Sequence, residues 1–284
     1  MQKIWVCGAR GQIGQAVNDV VDKLEFEMLD TDVDDLDVTD TDEVLRFGEM
    51  NRPDIIINCS GMTDIAACEE NPSRAFKVNA LGARNLAIVA AKMQAKMVQL
   101  STDDVFDGKS TEPYTEFDLV NPGTVYGKSK LAGEQFVREL APKHMVVRSS
   151  WIYGNTKNNF VSYILDGLLT EDTIFVPVDQ VSTPTSADDL AEFIVKLVHS
   201  SEYGIYHASC EGMCSRYEFA KEIVRLSGKD VRIEPLAAGD NPSIVNRPRY
   251  TLLDNFMMRM SGIHQMPTWK ESLARFMEGK KINE

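Results

Sequence analysis

Lys3-Ile4-Trp5-Val6-Cys7 runs straight into Gly8-Ala9-Arg10-Gly11-Gln12-Ile13-Gly14 at the head of the chain. The first five residues are apolar after the lysine and rich in β-branched and aromatic types, the composition of a buried strand. The next seven place glycines three apart. That spacing predicts a tight turn followed by a helix to about Lys23, with Ile13, Val17, Val20, Val21 and Leu24 facing inward. A strand, a glycine-rich turn and a helix N-terminus together make a seat for a pyrophosphate, because small residues let the backbone approach and the helix end presents unpaired N–H groups. Gly8, Arg10, Gly11, Gln12, Ile13 and Gly14 are therefore candidate cofactor residues, the cofactor being NADPH or NADH.

Outward from this loop the rhythm repeats. Phe26-Glu-Met-Leu29 predicts a second strand ended by Asp30 and Asp32, either of which can hold a ribose 2′-hydroxyl. Asp37 and Val38 are candidates for an adenine site. The aspartate run from Asp30 to Asp42 is not an EF-hand, because Asp35 and Thr41 stand where glycine and glutamate are needed. Asp54-Ile-Ile-Ile-Asn58 predicts a third strand, and Cys59, Ser60 and Gly61 at its end suit a crevice floor. A helix over 73–93 carries Asn79 among apolar neighbours, so that amide needs partners. Lys96-Met-Val-Gln-Leu100 predicts the fourth strand, with Ser101, Thr102 and Asp103 at its carboxyl end. After a strand at 144–148 the alternation loosens. The expectation is an α/β fold: a doubly wound parallel sheet of Rossmann type with a smaller C-terminal substrate lobe. Residues 1–150, plus roughly 184–208, would form the dinucleotide-binding part, and 151–183 and 209–284 the substrate lobe. A loop is expected from Gly239 to Pro248.

Tyr126-Gly-Lys-Ser-Lys130 sets a phenol and an ammonium four residues apart, on one face of a helix. A nearby cation lowers a phenol's pKa and readies it for proton transfer. The preceding Gly123-Thr-Val-Tyr-Gly127-Lys128-Ser129 resembles a phosphate-binding P-loop but has three residues between its glycines instead of four, which argues against kinase or ATPase chemistry.

The 284 residues carry 43% hydrophobic side chains, enough for one large domain or two that share a core. A net charge of −13 repels phosphate backbones, so nucleic acid is excluded as a partner. No apolar stretch approaches the ~20 residues that cross a bilayer and no leader peptide is evident, so no membrane partner and a cytoplasmic location are expected. The five cysteines are sparse and odd in number, which suits a reducing compartment. His207, Cys210 and Cys214 lack a fourth ligand, so no metal is expected.

With these pieces in order the chain resembles the dTDP-4-dehydrorhamnose reductase family of extended short-chain dehydrogenases/reductases. The match rests on the Gly8–Gly14 loop, Pro53-Asp54-Ile-Ile-Ile-Asn58, Ser101-Thr-Asp-Asp-Val-Phe-Asp-Gly108, Tyr126-Gly-Lys-Ser-Lys130 and Arg148-Ser-Ser-Trp-Ile-Tyr-Gly154. Asn158-Asn-Phe160, Asp179-Gln180, Thr183-Pro-Thr185 and Arg247-Pro248 extend it. The resemblance implies NAD(P)H-dependent reduction of the C4 ketone of a nucleotide-activated deoxysugar, dTDP-4-dehydrorhamnose to dTDP-rhamnose, by a monomer or homodimer. It makes Thr102, Tyr126 and Lys130 the catalytic set, Lys130 also holding the nicotinamide ribose beside Ser101. It makes Thr63, Ile65, Trp151 and Arg247 substrate contacts, with Arg249 near the diphosphate. The chain departs from the family at Met62, Ala66, Ala67, Asp104 and Ser182. Asp104 replaces a tyrosine, and two readings stand: it contacts the sugar, or it points to solvent. Two other functions compete: a non-catalytic NADP-binding regulatory subunit, like that of methionine adenosyltransferase, and a sugar-nucleotide epimerase or dehydratase.

Overall fold

The computed structural model describes residues 1–157, 159–236 and 247–282. Asn158 of the Asn158-Asn-Phe160 match and 239–246 of the expected loop lie outside them. In order come β1 (Gln2–Cys7), α1 (Gln12–Val20), β2 (Phe26–Thr31), α2 (Thr41–Asn51), β3 (Ile55–Asn58), α3 (Ile65–Glu70) and α4 (Pro72–Phe76). A π-helical stretch, Lys77–Gly82, joins α4 to α5 (Ala83–Met93). Then follow β4 (Lys96–Thr102), α6 (Val125–Leu140), β5 (His144–Ser149), β6 (Ile152–Tyr153), α7 (Phe160–Gly167), β7 (Thr173–Pro177), β8 (Val181–Ser182), β9 (Thr185–Ser186) and α8 (Ala187–His199). The chain closes with β10 (Gly204–His207), β11 (Cys214–Ser215), α9 (Arg216–Ser227), β12 (Arg232–Leu236), α10 (Phe256–Ser261) and α11 (Trp269–Ile282).

Six strands form one sheet in the order β10-β5-β4-β3-β1-β2, and every pairing in it is parallel. Alternate residues of a strand face opposite sides. In β1, Ile4 and Val6 join Val17 of α1 and Leu190 of α8 in one core. Trp5 and Cys7 join Val44 of α2, Leu86 of α5 and Val137 of α6 in the other. Both faces of the sheet are thus covered, the doubly wound arrangement expected from the near-continuous apolar strands. Beyond the sheet, β7 pairs with β12, β8 with β11, and β6 with β9.

Two local expectations fail. The first helix ends at Val20 instead of Lys23, so Val20 and Leu24 are exposed, not inward. The single helix over 73–93 is broken by its π-helical turn. Asn79 lies in that turn, and its side chain is held on both sides by neighbouring elements.

One buried ion pair fixes the helix that carries Tyr126. Glu134 of α6 takes Arg148 of β5 bidentately, at 2.7 and 3.0 Å, with both side chains almost fully buried. Ser101 of β4 donates its hydroxyl to the same carboxylate. Helix and sheet are thereby clamped one turn beyond Lys130.

Candidate active site

The carboxyl ends of β1, β2 and β3 open into a cavity of about 570 Å³. It is lined by Gly8, Arg10, Gly11, Asp32, Asp37, Val38, Cys59, Ser60 and Gly61, among others. Gly8 has φ 77°, a conformation side chains rarely adopt. A Cβ on Gly14 would stand 2.3 Å from the Gly8 carbonyl oxygen, so only glycine lets α1 pack this close. The N-cap of α1, Gly11, supplies no side-chain bond, which leaves the first N–H groups of the helix facing the loop. Arg10 donates its backbone N–H to Asp32 at 2.9 Å and pairs with Asp34 and Asp35 at 3.0 and 2.5 Å. Those aspartates, Asp35 first, raise its already high pKa. This donor set suits a dinucleotide: open helix N–H groups for the phosphates, a carboxylate at the second strand and a guanidinium at the rim.

Some expected cofactor residues lie elsewhere. Asp30 belongs to β2 and lines a separate hollow with Asn18 and Lys23, whereas Asp32 lies past the end of that strand and lines the cavity. Gln12 turns from the cavity: its side-chain oxygen accepts from Thr156 and Asn159, each at 3.0 Å. Ile13 is in the core. Asn79 holds the backbone of Met62, accepting its N–H at 2.8 Å and donating to its carbonyl at 3.0 Å, and reaches Ser129 at 2.9 Å. It shapes the cavity wall without lining it. Ser101 is engaged by Glu134. Thr31, Leu36, Met62, Arg74 and Val78 also line the cavity. Arg74 and Val78 sit one turn apart on the helical run before Asn79, a pairing that the helical spacing makes legible.

Thr102 ends β4, and Tyr126 and Lys130 lie on the first turns of α6. The Thr102 hydroxyl donates to Asp103 at 3.1 Å, accepts the Asp104 N–H at 3.1 Å and acts to lower the pKa of the Tyr126 phenol. A Cβ on Gly127 would meet the Asp104 carbonyl oxygen at 2.1 Å, so α6 abuts this segment. The phenol's pKa is raised, first by burial and then by Asp104, with Thr102 opposing. This reverses the expected lowering by Lys130. The ammonium of Lys130 instead donates to the Leu100 carbonyl at 2.7 Å. Burial lowers its pKa to about 8, while Glu134 and Cys59 pull the other way.

Asp103 and Asp104 are both buried. Asp103 receives hydroxyls from Thr251 and, at 3.3 Å, from Ser182. Burial and Asp104 raise its pKa. Asp104 is 2% exposed, so the solvent-pointing reading fails. One of its oxygens lies 3.6 Å from Arg247; the other has no partner. Trp151 follows β5 with φ 45°, a strained value for a bulky residue, and the Arg216 guanidinium stacks over its ring at 3.7 Å. Arg216 is a residue the sequence reading missed; an arginine opening a helix reads as solvated. Thr63 is exposed and Ile65 half-buried at the start of α3, and neither lines the large cavity. Arg249 lies on the surface near Asp179 at 3.8 Å. The His207 ring is taken by the carbonyls of Tyr114 and Asp254, at 3.0 and 3.2 Å. Among the described residues no group of three His, Cys, Asp or Glu side chains could hold a metal, and no helix is long and apolar enough to cross a membrane.

The family described as RmlD substrate binding domain matches residues 1–282. The chain belongs to this family. A dTDP-4-dehydrorhamnose reductase from Clostridium acetobutylicum superposes with a TM-score of 0.96 at 42% identity, over 99% of this chain and 100% of that one. The Bacillus anthracis dTDP-4-dehydrorhamnose reductase in complex with NADP superposes with a TM-score of 0.96 at 38% identity, over 98% and 100%. The spore coat polysaccharide biosynthesis protein SpsK of Bacillus subtilis is 34% identical over 98% of each chain. The resemblance and the doubly wound fold read from the motifs are borne out by these relatives.

Proposed function

We propose that the protein reduces the C4 ketone of a nucleotide-activated deoxysugar with NADPH or NADH, converting dTDP-4-dehydrorhamnose to dTDP-rhamnose. The observation that carries this reading is the helix of Tyr126 and Lys130 beside the dinucleotide-type cavity, the Lys130 ammonium standing 3.7 Å from where a Cβ on Gly61 of the cavity wall would lie, in a chain whose relatives at 38–42% identity are named dTDP-4-dehydrorhamnose reductases.

When bound, the reduced nicotinamide supplies the hydride. The chain's own residues supply the rest. Gly8, Gly11 and the open end of α1 receive the diphosphate of the cofactor, and Asp32, Asp37 and Val38 its adenosine side. Tyr126 gives its proton to the C4 oxygen, and its raised pKa keeps that proton in place at neutral pH. Thr102 aligns the phenol and the ketone. Lys130 stands as a buried cation for the nicotinamide ribose. Arg247 meets the nucleotide diphosphate by charge-assisted hydrogen bonds. Five unpaired cysteines suit the reducing cytoplasm.

The test is to offer NADPH and NADH with a panel of nucleotide 4-keto sugars. Stoichiometric loss of reduced-nicotinamide absorbance with dTDP-4-dehydrorhamnose is expected. Turnover without net loss would mark an epimerase, and cofactor binding without turnover a regulatory subunit.

A further inference from the structure

Two polar side chains, Arg216 on Trp151 and Asp104 after β4, have unused hydrogen-bonding capacity. Arg216 is 8% exposed. Its guanidinium lies flat over Trp151 at 3.7 Å and faces Phe160 at 4.8 Å. Among the described residues no hydrogen bond or ion pair reaches that guanidinium. A face-on stack leaves the in-plane N–H donors free at the edge of the group. Asp104 is 2% exposed, and one carboxylate oxygen has no partner. Buried donors and acceptors are rarely left unmatched without a functional reason. The strained backbone of Trp151 lies under the Arg216 guanidinium.

The elements bring these groups together. Arg216 opens α9 directly after β11, which pairs with β8. Ser182 of β8 bonds Asp103, the neighbour of Asp104. The charges of Asp103, Asp104 and Arg247 all act on Arg216, and burial lowers its pKa to about 9.

We propose that Arg216 and Asp104 form a charge-compensated pair that hydrogen-bonds ring hydroxyls of the glycosyl group, Arg216 donating and Asp104 accepting, and so selects the sugar. The proposal rests on the reductase reading and names the part of the substrate that these two residues read. The occupant follows from charge. Arg247 already lies 3.6 Å from Asp104, and the charges of Asp103 and Asp104 act on Arg216, so the cluster does not call for a further anion. An acidic sugar would be repelled by the free Asp104 oxygen. A hydroxyl both accepts and donates, and neighbouring ring hydroxyls serve both residues at once. If Arg247 turns to the nucleotide diphosphate, Arg216 remains to balance Asp104.

Calorimetry on the intact protein with NADP bound tests this. dTDP-rhamnose should bind more tightly than dTDP. Arg216→Lys removes the planar fork and keeps the charge; Asp104→Asn keeps the size. Each should shrink the advantage of dTDP-rhamnose over dTDP by about tenfold or more, the worth of one hydrogen bond to a charged group, with the affinity for dTDP unchanged. Equal weakening of dTDP would make Arg216 a diphosphate ligand and overturn the proposal. Unchanged affinities for both would reduce the pair to packing and overturn it too. Native protein that binds neither dTDP nor dTDP-rhamnose would sink the reductase reading itself. Should either variant fail to fold, the native protein still decides: among dTDP-linked sugars that each lack one ring hydroxyl of rhamnose, at least one should lose about tenfold relative to dTDP-rhamnose, and equal binding of all of them would refute the pair's role.

Discussion

Tyr126 sits where a proton must be delivered to a ketone oxygen, and its neighbours decide whether it can. Burial, Asp104 and Asp103 all favour the neutral phenol, against Thr102 and Arg247. A phenol held this firmly is a reservoir of the proton that reduction consumes. Tyr126→Phe should therefore lower kcat by roughly 10²–10⁴-fold, the usual worth of a positioned general acid. Cofactor affinity should persist, because Lys130 and the glycine loop remain. Near-native turnover at saturating substrate would remove Tyr126 from the mechanism. The pH profile follows from Lys130. Its pKa is lowered to about 8, so the ammonium is present below that pH and lost as pH rises through it. Tyr126 loses its proton only at higher pH. The alkaline limb of kcat/KM should then fall from about pH 8, and Lys130→Arg, which keeps its charge, should move that limb upward. A limb that stays in place in the arginine variant would assign it to another group.

At the scale of elements, the turn between β1 and α1 shows what sequence can and cannot say. Its glycine spacing is local, and so was its role: a Cβ on Gly14 meets backbone of Gly8 and Ala9 at 2.3 and 2.6 Å. Gly11 differs, because its φ of −70° suits any residue and its nearest obstacle is 3.2 Å away. Gly14→Ala should cost about 1–3 kcal/mol of stability, as overpacking does. Gly11→Ala should stay within ~1 kcal/mol yet weaken cofactor binding, because its methyl enters the cavity. Denaturation midpoints and cofactor titration together separate the two, and equal destabilisation would contradict the geometry. The strands were legible for the same local reason: apolar runs such as Ile55–Ile57 have no other place to go. What escaped the sequence depends on distant partners. The i,i+4 spacing put Tyr126 and Lys130 on one face, but burial and the distant-in-sequence Asp104 govern the phenol, so its pKa moves opposite to expectation. Asp30 and Asp32 are alike in sequence, but β2 ends at Thr31, and only Asp32, past that end, lines the cavity. The π-helical turn around Asn79 answers to Met62 and Ser129, and the burial of Arg216 answers to Trp151. No window of sequence contains those pairs.

For the whole molecule, the governing fact is an anionic chain that receives an anionic cofactor. A net charge of −13 works against any phosphate ligand, so local cations must offset it. Arg10 and Arg74 are the cations on the cavity wall. Arg10 is held by Asp34 and Asp35, which fixes it at the rim but also uses part of its charge. Asp32 beside it favours a bare ribose hydroxyl over a 2′-phosphate. The two effects oppose, so both NADPH and NADH should bind, with Arg10 mattering to NADPH alone. Ligand binding to the folded state raises global stability by about 2.7 kcal/mol at a hundredfold excess over Kd. In a chain of this size that corresponds to a melting shift on the order of 5 °C. Native protein should show such a shift with either cofactor. In Arg10→Ala the NADPH shift should shrink by roughly 2 °C, the equivalent of a tenfold loss of affinity, ~1.4 kcal/mol. The NADH shift should hold, because no charge on that ribose faces Arg10. If both shifts shrink together, Arg10 acts by holding the glycine loop through its backbone bond to Asp32, and cofactor choice must rest with Arg74 and the shape of the adenosine side.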